Sequence, residues 1–157
     1  MSLDYFPIFI NMNQKQAVVF GGGTIASRRA KALLEFGAKV QIVAPEISEN
    51  LQRWAAGEEN LTLEYRRYQP GELQKSVRVD LVLAATDDKL VNDSIFQECR
   101  RQGVLVNTAS DQAKCDFYFP GIARKGEITV GVTANGQNHK KAAAVTEKIR
   151  EMLDKFF

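Results

Sequence analysis

Three consecutive glycines, Gly21-Gly22-Gly23, follow the apolar run Gln16-Ala17-Val18-Val19-Phe20 and precede Thr24-Ile25-Ala26. A short run of β-branched and aromatic residues that stops at glycine has the pattern of a buried strand meeting a turn. From Thr24 the apolar period changes, and Ala26, Ala30, Leu33 and Leu34 fall on one helical face until Gly37 supplies a stop. Gly21 allows a sharp turn, Gly23 lets a pyrophosphate approach the backbone, and Ala26 lets the helix pack closely on the strand. Amides around Thr24 and Ile25 then point at phosphate oxygens. Strand, turn, helix and second strand in this order favour a dinucleotide site over a purely structural turn.

The rest of the chain keeps the same alternation. Val40, Ile42 and Val43 form a second strand closed by Pro45, and Ile47, Leu51, Trp54 and Ala55 outline a second helix ending near Gly57. Leu61, Leu63 and Tyr65 alternate with polar residues as a third strand, while Leu81-Val82-Leu83-Ala84-Ala85 is a fully buried fourth. Asp87 or Asp88 caps a helix that faces Val91, Ile95 and Cys99 inward, Gly103 ends it, and Val104-Leu105-Val106 gives a fifth strand. The fold class is therefore α/β, a Rossmann-type parallel sheet with helices on both faces. Before it, Tyr5-Phe6-Pro7-Ile8-Phe9-Ile10 is expected as a short edge strand or a lead-in.

After about residue 112 the pattern changes. Phe117 and Phe119 alternate with Tyr118, and Ile128, Val130 and Val132 alternate with small or polar residues, which predicts two half-buried strands joined near Lys125-Gly126. A last helix carries Val145, Ile149, Met152, Leu153 and Phe156 along one stripe. Such a hairpin and helix have little to bury alone, so a homodimer is expected. The division is residues 1–112 as an NAD-binding domain and 113–157 as a small hairpin-plus-helix region for dimerisation and substrate contact.

Composition narrows the classes further. Hydrophobic residues make up 45% and charged residues 25% of the 157, without an apolar run long enough for a bilayer. A net charge of +2, with its charges interspersed, implies no nucleic-acid surface. Cys99 and Cys115 do not make a disulfide framework, and Met1-Ser2-Leu3-Asp4-Tyr5 lacks the features of an export signal, so a cytoplasmic protein is expected. His139 is the sole histidine, and one imidazole without a cysteine or carboxylate cluster at ligand spacing argues against a metal site. Neither a Ser–His–Asp nor a Cys–His constellation is evident for covalent hydrolysis.

The acidic residue that usually meets the adenosine ribose belongs about 20 residues beyond the glycines. Gln41, Val43 and Ala44 occupy that stretch, and the first carboxylate is Glu46. Glu46 serves either the ribose or the dipole of the next helix. It repels a 2′-phosphate whereas Arg28, Arg29 and Lys39 attract one, and NAD is preferred over NADP.

Several segments together carry a family resemblance. They are Pro7-Ile8-Phe9, Gly21-Gly22-Gly23-x-Ile25-Ala26-x-Arg28-Arg29, Gly37-Ala38-Lys39-Val40, Ala44-Pro45, Ala84-Ala85-Thr86-Asp87-Asp88, Val106-Asn107 and Cys115-Asp116-Phe117-Tyr118-Phe119-Pro120. In this order the chain resembles the precorrin-2 dehydrogenases and the equivalent N-terminal part of siroheme synthases, from about residue 6 to 156. The resemblance implies an NAD-dependent oxidation of the tetrapyrrole precorrin-2 to sirohydrochlorin in siroheme biosynthesis, by a Rossmann domain followed by a dimerisation region. It carries cofactor contacts to Thr24, Ile25, Pro45 and Glu46, beside Gly21, Gly22 and Gly23, and it places Ala85 and Thr86 at the switch point.

Two departures touch the chemistry. Relatives often show an aspartate three residues after the asparagine that matches Asn107, and here Ser110 takes its place with Asp111 following. Asp111 is the candidate base for the proton that leaves the macrocycle, or else a solvated turn residue, and Ser110 either faces substrate or caps the turn. In Thr133-Ala134-Asn135-Gly136-Gln137-Asn138-His139 the pair Asn138-His139 replaces the Ser-Pro common in relatives. Asn135, Gly136, His139 and Lys140, with Lys141, are candidates for holding tetrapyrrole carboxylates at a helix start, against a capped surface helix with solvated lysines. The rival functions are a non-catalytic NAD or tetrapyrrole binding module and a protein that inserts ferrous iron into sirohydrochlorin.

Overall fold

The computed structural model describes residues 4–74 and 78–157. Five strands, β1 (Gln16–Phe20), β2 (Lys39–Val43), β3 (Leu61–Glu64), β4 (Leu81–Ala84) and β5 (Leu105–Thr108), form one sheet in the order β3-β2-β1-β4-β5. Every pairing is parallel. Helices α1 (Thr24–Glu35), α2 (Glu49–Ala55) and α3 (Lys89–Gln102) make the β1–β2, β2–β3 and β4–β5 crossovers. The chain passes from β1 to β2 on one side and from β3 back to β4 on the other, so the sheet reverses its order between β1 and β4.

Register sorts the core onto two faces. Val19 lies beside Ile42 and Leu83, and Phe20 beside Val43 and Ala84. On the Phe20 face, Val18, Val82, Ile95, Cys99 and Val106 complete a cluster against which Tyr68, Leu73 and Val79 also pack. These last three belong to the β3–β4 connection, which carries a 3-10 turn at Glu72–Gln74. Glu98 of α3 holds that connection down. Its fully buried carboxylate accepts from Gly71 N at 3.1 Å, Leu73 N at 2.8 Å and the Tyr68 hydroxyl. Buried carboxyl oxygens gather donors in this way because each bond offsets part of the cost of taking the group out of water.

Helix boundaries follow their caps. Asp88, of the two candidates, caps α3 through bonds from Leu90 N and Val91 N, and Gly103 ends that helix at φ 66°. Ser48 caps α2, which begins at Glu49, so Ile47 lies before the helix.

A second unit comprises Tyr118–Phe157 with the segment up to Pro7, while Ile8–Phe117 form the unit of the parallel sheet. In the smaller unit β6 (Gly121–Lys125) and β7 (Ile128–Val132) pair antiparallel around Gly126, whose φ is 55°. Helix α4 (His139–Phe156) lies on β6, with Arg150 Nη2 donating to Ile122 O at 2.7 Å. Gly121 is needed for this approach, because a Cβ there would lie 2.2 Å from Thr146 Oγ1.

One expected strand forms elsewhere. The first hairpin strand lies at β6 and not at Phe117–Phe119, because the backbone just before it is used by β5. Cys115 bridges Asn107, Asp116 N donates to Val106 O, and Asn107 Nδ2 donates to Phe117 O. Tyr5–Ile10 makes no strand pairing, which leaves the lead-in of its two expected forms. Phe6 and Phe9 accordingly stay 82% and 79% exposed. The α4 stripe is likewise only partly covered: Leu153 is buried, whereas Met152 and Phe156 remain 48% and 74% exposed.

Asp80 ties the start of β4 to the start of β1 and gives this core a pH dependence. Its carboxylate accepts from Gln16 N at 2.9 Å, with Arg78 and Lys15 beside it, and that backbone bond above all holds its pKa below the ordinary 3.8. A carboxylate lowered in the folded state stabilises fully above its unfolded pKa and loses that contribution as pH falls through the folded one. Asp80→Asn is expected to cost about 1–2 kcal/mol at pH 7. In thermal denaturation its deficit against the unmodified chain should shrink steadily below about pH 4.

Candidate functional site

The glycine turn sits where the sheet reverses its order. Gly21 N extends the β1–β2 ladder with a 3.0 Å bond to Val43 O, and Ala85 N extends the β1–β4 ladder with a 2.8 Å bond to Phe20 O. Gly21 has φ 129°, and a Cβ there would fall 2.2 Å from Ala85 O. A Cβ on Gly22 would fall 2.2 Å from Glu46 O and 2.8 Å from Ile47 Cα, and Ser48 N donates to Gly22 O at 2.8 Å. Two of the three glycines are therefore demanded by the chain's own backbone on either side.

Gly23 differs. A Cβ there would meet nothing within 4 Å, and its φ of −89° suits any residue. It is the N-cap of α1, no side chain caps it, and the first turn holds no acidic residue. The first amides of a helix have no intrahelical acceptor and carry the positive end of its dipole. Thr24 and Ile25, both exposed, begin the helix here. Open space before uncapped amides is the cradle that a diphosphate requires, and these residues fit the pyrophosphate of a nicotinamide dinucleotide.

The remaining expected cofactor residues border the same turn. Pro45 and Glu46 are exposed after β2, with the Glu46 backbone against Gly22. Ala85 and Thr86 are half-buried after β4, with the Ala85 carbonyl against Gly21. Of the three cations weighed for a 2′-phosphate, Lys39 opens β2 at the opposite end of the strand from this turn. Arg29 Nη1 donates to Asn107 Oδ1 at 2.5 Å.

Around the end of β5 the candidates fall into different environments. Asn107 is buried, its amide shared between Arg29 and Phe117 O. Burial holds the Arg29 guanidinium below its ordinary pKa, with the neighbouring Cys115 acting the other way. Ser110 is exposed and its Oγ lies 3.2 Å from Asn92 Nδ2. Asp111 is half-buried. Its Oδ1 accepts from Ala113 N at 3.0 Å to cap the 3-10 turn Gln112–Lys114, and its Oδ2 lies 3.6 Å from Lys114 Nζ. Asp93, 2.5 Å from Lys114 Nζ, is the main reason that ammonium's pKa is raised.

The other candidates belong to the smaller unit. Asn135 and Gly136 turn the chain with φ 52° and 70° before α4. Asn138 caps that helix by accepting from Lys141 N at 2.9 Å, and His139 and Lys140 are exposed in its first turn.

Burial pushes the Cys99 thiol up to about 12 and raises Cys115 as well, which leaves neither thiol a ready nucleophile. Among the described residues no group of three His, Cys, Asp or Glu side chains is placed to hold a metal ion. Among them, too, no helix is long and apolar enough to cross a membrane.

Asn92 was not among the sequence candidates, yet it joins the loops after β4 and β5. Its signal was a polar residue on the inward stripe of α3, three and seven residues before Ile95 and Cys99. Glu98 carried the same kind of signal beside Cys99.

A family model described as "Putative NAD(P)-binding" matches residues 8–121. A siroheme synthase of Photorhabdus laumondii subsp. laumondii is 38% identical over 152 residues, which cover 96% of this chain and 31% of that protein. A siroheme synthase of Nitrosococcus oceani is 33% identical over 151 residues, again 96% of this chain and 31% of the relative. The chain thus spans about a third of the length of these curated relatives. A solved structure named "SirC, precorrin-2 dehydrogenase" superposes with a TM-score of 0.74 at 25% identity, over 98% of this chain and 71% of that one. With a reversed parallel sheet, an open glycine turn and a family model covering most of its length, the chain belongs to the NAD(P)-binding family and is a homologue of the siroheme synthases.

Proposed function

We propose that this chain oxidises precorrin-2 to sirohydrochlorin with NAD as the hydride acceptor, a step towards siroheme. The observation that carries the proposal is the uncapped start of α1 at Gly23, which is open in front, while the two preceding glycines are packed against Ala85 O and Glu46 O. The siroheme synthase relatives and the precorrin-2 dehydrogenase structure supply the substrate class.

Bound at this turn, a nicotinamide dinucleotide supplies the acceptor for the hydride that leaves the macrocycle. The chain's own part is to bind, orient and take a proton. Amides of Thr24 and Ile25 grip the diphosphate, and the loop at Pro45 and Glu46 lies beside the turn for the adenosine ribose. Glu46 disfavours a 2′-phosphate, Lys39 stands at the far end of β2 and Arg29 is engaged with Asn107, so Arg28, exposed on α1, is the one of the three cations left to attract such a phosphate, and NAD is assigned over NADP on Glu46. Asp111 is the carboxylate next to Ser110, and we assign it the proton that leaves with the hydride. Asn107 holds the β5 end in shape through Arg29 and Phe117, and Asn135, Gly136, His139 and Lys140 offer amides and a cation to tetrapyrrole carboxylates.

The smaller unit supports a homodimer. Val145, Met152 and Phe156 are exposed along α4, and Phe6 is exposed in the same unit. Covering such side chains on association is favourable by roughly 25 cal/mol per Å² of apolar surface removed from water. Sedimentation at micromolar concentration should give twice the chain mass, and Met152→Glu should halve it. A monomeric mass for the unmodified chain overturns the dimer.

Mixing the chain with precorrin-2 and NAD should raise absorbance at the reduced-nicotinamide band, and affinity without turnover would mark a binding module instead. Asp111→Asn should lower kcat by about 100-fold if Asp111 takes the proton, and unchanged turnover removes it from the mechanism.

The glycines should separate fold from ligand. Gly23→Val should leave thermal stability within about 1 kcal/mol while lowering NAD affinity at least tenfold, because only the ligand's space is filled. Gly21→Ala should cost more than about 2 kcal/mol of stability by driving a Cβ into Ala85 O.

A further inference from the structure

Asn92 lies in the first turn of α3 with none of its surface exposed. Its carboxamide is fully used. Oδ1 accepts from Thr86 N at 3.1 Å and lies 2.7 Å from Thr86 Oγ1, while Nδ2 donates to Thr86 O at 3.1 Å and to Ser110 Oγ at 3.2 Å. The backbone of Thr86 fixes which end is which, since a peptide N–H faces one end of the amide and a peptide carbonyl faces the other.

The atom facing Ser110 is therefore nitrogen, which only donates. Ser110 Oγ must accept from it, and a hydroxyl has one hydrogen, so that hydrogen is left to point away from Asn92. Ser110 is exposed and follows Ala109, whose N–H bonds to Ala84 O at the C-terminal end of β4. Ligands of open parallel sheets bind at that edge.

We propose that Asn92 is a positioning residue that turns the Ser110 hydroxyl into a hydrogen-bond donor for a carboxylate of the bound tetrapyrrole. The class of ligand rests on the function proposed above, whereas the direction of the hydroxyl rests on the Asn92 geometry alone. The same side chain sets the peptide of Thr86, so one buried amide fixes the exits of both β4 and β5. A serine held in this way donates to an anion and takes no proton, a role distinct from that of the neighbouring Asp111.

The test is a double-mutant cycle read by equilibrium titration of sirohydrochlorin, with NAD affinity and precorrin-2 turnover measured in parallel. Ser110→Ala should weaken sirohydrochlorin binding about tenfold, the usual loss of a hydrogen bond to a charged group, and should leave NAD affinity unchanged. Ser110→Thr, which keeps a hydroxyl, should recover most of that loss. In an Asn92→Ala background the Ser110→Ala penalty should fall below about threefold, because the hydroxyl there is no longer oriented. Where Asn92→Ala does not fold, Asn92→Ser takes its place in the cycle. In the free protein, Ser110→Ala should also shift the side-chain amide resonance of Asn92.

A Ser110→Ala penalty of equal size in both backgrounds overturns the proposal, as does no penalty, one confined to NAD, or an unmodified chain that does not bind sirohydrochlorin. Binding without turnover refutes the dehydrogenase assignment, and the cycle then still decides the role of Asn92.

Discussion

The structure depends on how closely three strand exits are drawn together at one turn. Gly21 touches the carbonyl of Ala85, and Gly22 touches the carbonyl of Glu46, so the loops after β4 and β2 close on the loop after β1 from both sides. Neither contact leaves room for a side chain. The third glycine faces outward, and what remains in front of it is a row of peptide amides at the start of α1. Backbone crowding behind and free space ahead arise from the same three residues.

Electrostatics completes what sterics begins. With no side-chain cap and no acid in the first turn of α1, the helix dipole at Gly23 is left for an anion. Glu46 and Asp88 flank the region but serve other elements, one through its backbone against Gly22 and the other as the cap of α3. The first turn of α1 is thus kept free of negative side chains.

The parallel sheet was legible because the alternation of apolar runs with turn and cap residues marks its order, although β4 ends one residue before the expected Ala85 and β5 runs two residues past the expected Val106 to Thr108. Phe20 before glycine, Val43 before Ala44-Pro45 and Ala84 before the Asp88 cap each fix a boundary locally. The first hairpin strand was misplaced because its own residues, Gly-Ile-Ala-Arg-Lys, carry little strand preference and are drawn into pairing by β7. Phe117-Tyr118-Phe119 looked better on alternation, yet the chain just before it is held by Val106 and Asn107, partners distant in sequence. The site followed the same rule. The glycine turn was readable from neighbours, whereas Asn92 could be recognised only once Thr86 and Ser110 met around it.

The Phe20 side of the sheet bears a consequence of its own. Among its described residues the connection between β3 and β4 has one 3-10 turn and no α-helix, yet Tyr68, Leu73 and Val79 lie on the core as a helix would. Glu98 makes this feasible by collecting a hydroxyl and two peptide hydrogens onto one acidic group in the interior. Three points of that covering segment thus share one peg on α3, so losing the peg would loosen all three at once.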